Sequence, residues 1–166
     1  NSIKVGVIAS IISTFIALFA AKAFTRYKVK FSGLSYGAIL LPFIIPEIII
    51  AVAFIVIWTS MGLKLGLIPI TISHVLYCTP FCLLILISRM EGFDKSLEEA
   101  SMDLGENAFG TFWRITLPLL LPGIVASLLL SFVISFDEFI LAFFLSSSDQ
   151  TLPIYMWSQL RFPKKL

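Results

Sequence analysis

Long apolar blocks alternate with short polar intervals along this chain, and the block lengths predict four membrane-crossing helices. The first block, residues 3–24, holds about 20 residues of mostly Ile, Val, Ala, Leu and Phe, enough for a helix to traverse roughly 30 Å of hydrocarbon. The others cover residues 34–61, 67–88 and 119–145. Gly6, Ser10, Ser13, Ala17 and Ala21 recur at three- and four-residue spacing, so one face of the first helix is small and predicted to meet another helix instead of lipid. In the fourth block Gly123, Ser127, Ser131 and Ser135 recur every four residues, and Glu138 continues that face. A secretory signal peptide does not fit the first block, which is too long, lacks a cleavage-like end and runs into a basic stretch.

Residues that interrupt the blocks carry most of the information. Pro42 and Pro46 remove two backbone donors from the second block and predict a broken or kinked helix, and Glu47 follows directly within Ile-Ile-Pro-Glu-Ile-Ile-Ile. A carboxylate at that depth costs roughly 2.5–3.5 kcal/mol on insertion and is expected to face protein or a water-filled cavity. Two roles are open to it: satisfying backbone freed by the prolines, or lining a pathway. The third block carries His74, Tyr77, Cys78, Pro80 and Cys82, and His74 reads as an interhelical hydrogen-bond partner in preference to a ligand or base. Asp137 lies about 100° around the helix from Glu138, so both acids can share a site only if the helix ends or distorts there. Residues 152–160 are too few to span, which predicts an outer-surface element.

Charge sets the orientation. Lys22, Arg26, Lys28 and Lys30 arrive before any acid, and a basic loop of this kind marks the cytoplasmic side. Residues 25–32 and 89–118 are then inside, and 62–66 and 146–166 outside. Arg161, Lys164 and Lys165 fall outside against the rule, although seven bases remain inside against five outside.

The longest polar interval runs from residue 96 to residue 118. Ser96 and Glu99 have capping-box spacing, which predicts a short helix from about Leu97. Gly105 stands where a residue past the helix end needs a left-handed conformation. Asn107 is placed to cap a second short helix carrying Phe109, Phe112, Trp113 and Ile115, which Pro118 is expected to end by resetting the chain direction.

Glu99-Ala100-Ser101, three residues, Gly105, nine residues, Ile115, one residue and Leu117-Pro118 resembles the EAA loop of permease subunits in ATP-binding-cassette (ABC) importers. The family pattern has a second Ala where this chain has Ser101. The resemblance implies an all-α, polytopic membrane helical bundle of the type I importer permease (MetI-like) fold with cytoplasmic coupling helices. Residues 1–166 would form a single transmembrane domain with its coupling loop at 89–118, corresponding to spans two to five of a six-span family and lacking the first and last membrane helices. Glu99, Ala100, Ser101, Gly105, Ile115, Leu117 and Pro118 would couple to the ATPase, with Glu99 pairing with one of its basic groups. The implied partners are a second permease subunit, two cytoplasmic ATPase subunits and an extracytoplasmic solute-binding protein, in a bacterial cytoplasmic (inner) membrane. The subunit itself would be non-catalytic and need no cofactor, because ATP and Mg are bound by the partner subunits. Ser73-His74, Cys78-Thr79-Pro80-Phe81, Glu91-Gly92-Phe93-Asp94, Ser135-Phe136-Asp137-Glu138 and Leu152-Pro153 resemble the spermidine/putrescine branch. Another small solute, such as an amino-phosphonate, is the alternative within the family.

Composition agrees with a membrane protein: 58% of residues are hydrophobic and 13% charged, with a mean hydropathy of +1.00. No basic run interleaved with aromatics points to nucleic acid, and no Gly-rich loop ending in Gly-Lys-Ser or Gly-Lys-Thr points to bound nucleotide. Cys78 and Cys82 are one helical turn apart in an apolar segment and read as core packing. The single His leaves a zinc protease without its ligands, and no nucleophile elbow supports a serine mechanism. A passive channel, the other rival, does not explain the acid-rich loop.

The intramembrane acids suggest the solute's charge. Counted from the cytoplasmic starts of their spans, Glu47 lies about 20 Å up and Asp137 about 27 Å up if helical, both beyond the midplane of a roughly 30 Å core. Glu47, Asp137 and Glu138 are therefore expected to form a cation-attracting site, with Trp58, Phe136 or Phe139 adding cation–π attraction. The alternative is that these acids cap kinked helices and bind no solute.

Overall fold

The computed structural model describes residues 1–27 and 32–161. Lys28, Lys30, Lys164 and Lys165, which enter the charge balance above, lie outside the described residues. Among those described, α-helices and one π-helical turn make up all the regular structure. Three helices are long and apolar enough to cross a membrane: α1 (Ser2–Arg26), α4 (Leu67–Glu91) and the continuous stretch Ala108–Asp137. That stretch comprises α6 (Ala108–Thr111), a π-helical turn (Phe112–Thr116) and α7 (Leu117–Asp137). A fourth crossing is present if α2 (Ser32–Ile44) and α3 (Glu47–Ser60), bent by 103°, count as one span.

Of the two prolines expected to fracture this pair, only Pro46 does so. It adopts an extended backbone at the N-terminus of α3, and the residue before a proline is sterically pushed out of the α region. Pro42 stays inside α2, where the amide of Ile45 still reaches the carbonyl of Leu41 at 3.0 Å.

The fourth block departs from its predicted form at both ends. At the cytoplasmic end, Pro118 does not reset the chain direction: the helix runs through it, with the π-helical turn placed immediately before. Pro disrupts a helix through its missing donor and its ring clash with the preceding turn, and a loosened turn accommodates both. At the far end α7 stops at Asp137, Glu138 is extended, and a new helix, α8 (Ile140–Leu145), begins.

Small residues allow the close packing of α1, α4 and α7. Gly6, Ser10, Ser13, Ala17 and Ala21 are all buried on α1, and a Cβ at Gly6 would sit 3.1 Å from the Phe132 ring. Gly123, Ser127, Ser131 and Ser135 are buried on α7. Between the two stripes, the Cys78 and Cys82 thiols donate to the carbonyls of Ser131 and Ser127 at 3.6 and 3.7 Å. Both cysteines are free and buried, as core packing requires. Ala17, Ala21, Leu83, Leu86, Met90, Phe112 and Leu120 continue this core toward the cytoplasmic end. At the opposite end Val5, Ile70, Ala142, Leu145 and Ile154 form a second cluster beneath α9 (Leu152–Arg161), a ten-residue helix too short to span.

The two ends are tied separately. The Gly66 amide donates to the Leu145 carbonyl and Asn1 Nδ2 to the Gln150 carbonyl at one end, while Arg26, Met90 and Glu98 meet at the other. In a background lacking Cys78 and Cys82, an impermeant thiol reagent applied to intact cells is expected to label Lys64→Cys and spare Lys95→Cys. The reverse pattern would invert the orientation.

Candidate functional site

Two groups of residues stand out from the apolar body, one in the polar loop and one inside the membrane region. The loop begins with α5 (Ser96–Asp103), but the capping box does not form. Asp94, two residues earlier, takes the Ser96 amide at 2.9 Å and its carbonyl receives the Leu97 amide, so the cap is built one step upstream of Ser96. The Ser96 amide and hydroxyl hold the Asp94 carboxyl below the usual carboxylate range.

The C-terminus of α5 matches its prediction. Gly105 has φ +92°, its amide donates to Met102 O at 2.9 Å and the Glu106 amide to Ser101 O at 3.2 Å, the paired bonds of a Schellman motif. Asn107 then caps α6 by accepting the Gly110 amide at 2.8 Å. The Ser101 hydroxyl, where the family pattern has Ala, lies 3.1 Å from that of Thr111 and ties α5 to α6.

Ala100, Ser101, Gly105 and Ile115 line one cleft of about 540 Å³ together with Leu97, Leu104, Glu106 and Arg114. The remaining motif residues lie elsewhere. Glu99 faces a second pocket beside Lys22 and Lys95, Leu117 packs on the core, and Pro118 is exposed. Leu104 is 90% exposed, with Phe109 and Trp113 also open, so the most polar segment of the chain presents large apolar side chains at its tip. Apolar surface of this kind on a loop marks an interaction site.

Glu98, adjacent to the motif, is the loop residue that sequence reading passed over. It is buried, pairs with Arg26 at 2.6 Å and accepts the Thr116 hydroxyl. One in a run of six acids, it carries no periodic or spacing signal that separates it from Glu99.

Inside the membrane region, the fractures in the second and fourth blocks meet. Glu47 opens α3 just after Pro46, Glu138 sits at the α7–α8 break, and α3 packs on α8 through Ile50, Ala51 and Leu141. Glu47 and Glu138 are thereby brought to one junction, each at a helix break. Glu138 is buried and accepts the amides of Leu141 and Ala142 at 2.9 and 3.0 Å, capping α8. His74 bridges from α4, with Nδ1 2.7 Å from Ser135 Oγ and Nε2 3.1 Å from Glu138 Oε2. It is the interhelical partner that the sequence predicts.

Asp137 is not part of this cluster. Because the helix ends there, the two neighbouring acids diverge, and Asp137 is exposed beside a pocket of about 430 Å³ walled by Phe136, Phe139 and Trp157. Trp58 is at the outer end, its indole N–H donating to Lys64 O at 3.0 Å and its ring stacked on Phe54. No group of three or more His, Cys, Asp or Glu placed to hold a metal occurs among the described residues.

A membrane bundle with a helix–turn–helix loop at one end and opposed acids at helix breaks is the architecture of a transport component. Residues 13–162 match the model of the family described as "Binding-protein-dependent transport system inner membrane component", and the chain belongs to that family. The chain is 30% identical over 162 residues to the spermidine/putrescine transport system permease protein PotC of Escherichia coli (strain K12), covering 97% of this chain and 61% of that protein. PotC of Haemophilus influenzae is 31% identical over 159 residues, covering 95% of this chain and 62% of that protein. The putrescine transport system permease protein PotI of Escherichia coli (strain K12) is 28% identical over 169 residues, covering 96% and 60%. The chain thus spans about three-fifths of the length of these relatives.

Two outcomes follow for the loop. A Cβ at Gly105 would meet nothing within 4 Å, so Gly105→Ala costs backbone strain alone. At roughly 1–2 kcal/mol for a left-handed residue, opening at the Gly105 and Glu106 amides should rise about 5- to 30-fold in hydrogen exchange, and less in Gly105→Asn. The Asp94 carboxyl, held below its ordinary value of about 3.9, stabilises the start of α5 fully above that value and loses this effect as pH falls through the lower folded value. Asp94→Asn should abolish that acid dependence of Ser96 amide exchange.

Proposed function

We propose that this chain is the membrane-spanning part of an ABC importer permease subunit that forms half of a translocation pathway for a small cationic solute, a polyamine of the spermidine/putrescine class. The observation that carries the cationic assignment is that two acids, Glu47 and Glu138, stand at the two helix breaks where α3 packs on α8. Glu138 has partners of its own in His74 and two backbone amides. Glu47 is half-buried at the same junction, and a primary or secondary ammonium supplies compensating charge and donors to the pair of acids. Asp137 with the Phe136 ring offers a second point of attraction on the exposed side, and Trp58 a third aromatic face nearer the outer turn. The names of the PotC and PotI relatives favour the same solute class.

Energy enters from the other end in this reading. Glu99, Ala100, Ser101, Gly105, Ile115, Leu117 and Pro118 belong to a loop that docks on cytoplasmic ATPase subunits, with Leu104, Phe109 and Trp113 as its apolar contacts. A second permease completes the pathway, an extracytoplasmic binding protein delivers the solute, and ATP with its Mg is bound and hydrolysed by the ATPase subunits alone.

Glu47→Gln keeps size and hydrogen bonding while removing the charge. It should raise the spermidine concentration for half-maximal uptake about tenfold, equivalent to about 1.4 kcal/mol, without reducing assembly with the ATPase. Asp137→Asn should have a smaller effect. Glu138→Gln should raise the same concentration and also lower the amount of folded protein, because one amide oxygen cannot replace two carboxylate oxygens accepting from Leu141 and Ala142. Unchanged spermidine uptake in both Glu47→Gln and Asp137→Asn would remove the cation site.

A further inference from the structure

Arg26, Glu98 and Thr116 come from three separate elements and meet in a nearly buried cluster. The Arg26 and Glu98 side chains are 8% and 12% exposed, with Nε 2.6 Å from Oε2. The second carboxylate oxygen accepts the Thr116 hydroxyl, so both oxygens of Glu98 are occupied. Arg26 is fixed in turn: its Nη2 donates to the Met90 carbonyl at 3.2 Å, and its guanidinium lies 4.7 Å from the centre of the Phe93 ring. One carboxylate on α5 is thus bonded to the last residue of α1 and to the π-helical turn that leads into α7, and through Arg26 to the end of α4.

A charge pair this enclosed is short, directional and little screened by water or salt. Nothing comparable holds the rest of the loop. The Glu106–Arg114 pair has Arg114 76% exposed, and an ion pair so open to water holds its groups weakly. Ala100 and Ser101 line the open cleft, while Glu99 lies in the pocket that Arg26, Glu98 and Thr116 also line. The short helix therefore has one face free for a partner and one residue anchored into the three-helix body.

We propose that the Arg26–Glu98–Thr116 triad is the joint through which displacement of α5 is delivered to α1, α4 and α7 as a single body. The inference rests on the reading that α5 meets the ATPase. Glu98 is a positioning residue in this role: it acts through Arg26 and Thr116, and it is buried where its neighbour Glu99 is exposed.

The test uses the full-length permease in proteoliposomes with its partner permease, ATPase and binding protein, measuring ATP hydrolysed per spermidine taken up. A purely structural role for Glu98 would lower the amount of assembled transporter and leave that ratio unchanged. A joint predicts that Glu98→Gln assembles with the ATPase and hydrolyses ATP, but consumes at least tenfold more ATP per spermidine. Thr116→Val, which spares the ion pair, should raise the ratio about threefold. Arg26→Lys, which keeps the charge but cannot hold Glu98 and the Met90 carbonyl together, should fall between wild type and Glu98→Gln. A ratio within twofold of wild type in both Glu98→Gln and Thr116→Val would overturn the proposal. If Glu98→Gln fails to assemble, an unchanged ratio in Thr116→Val is sufficient to overturn it. Spermidine uptake by the wild type without ATP would instead overturn the importer reading, and the joint with it.

Discussion

Hydrocarbon supplies no hydrogen bonds, so a helix broken inside it must find partners for its freed amides within the protein. Glu138 meets that requirement at the break between α7 and α8 by accepting two amides at once. Much of the outer half follows from this arrangement. Starting α8 at Ile140 gives α3 a surface to pack on and brings Glu47 against Glu138, while the remaining charge draws His74 from α4. The acid that stabilises the break also stands where a second acid, Glu47, opens α3. Of the two roles that sequence alone leaves open for intramembrane acids, backbone satisfaction describes Glu138.

What could be read in advance depended on whether the controlling interaction was local. The extents of the first and third blocks, the two small-residue stripes and the conformation of Gly105 follow from spacing along a single helix or turn, and each is found in the structure. Asn107 likewise caps the helix that follows it. Ser96 and Glu99 have capping-box spacing, yet Asp94, two residues upstream of Ser96, takes the Ser96 amide that Glu99 would accept in the box. Pro118 was read as an endpoint because its local cost is fixed, whereas the preceding π-helical turn can accommodate it. Glu98 was not legible at all, since its partners are 72 and 18 residues away. The same limit applied to Asp137 and Glu138: their divergence depends on where α7 ends, and the apolar run continues past that point without a signal.

The two halves of the molecule are held by different means. Along the trunk, small side chains let α1, α4 and α7 approach closely, and thiol and hydroxyl groups bond between them. Without a hydrophobic force between helices in lipid, such close contact and interhelical bonding are what favour association. On the outer side the helices are short, interrupted at Pro46 and Glu138, and joined by aromatic contacts such as Phe139 and Phe143 with Trp157. A stiff trunk with a jointed crown is a layout in which one end can move as a unit while the other rearranges.

The π-helical turn also fixes an angular relationship. One residue advances an α-helix by about 100°, so a single extra residue in a turn rotates everything on one side of it by that amount relative to the other. Residues 112–116 separate the exposed tip of the loop from the serine-lined face of α7, and so set the azimuth at which Phe109 points relative to Ser127, Ser131 and Ser135. Removing one residue there would restore a regular helix yet turn the tip of the loop by more than a quarter revolution. The five residues act as a phase adjuster between the loop tip and the packed face of α7.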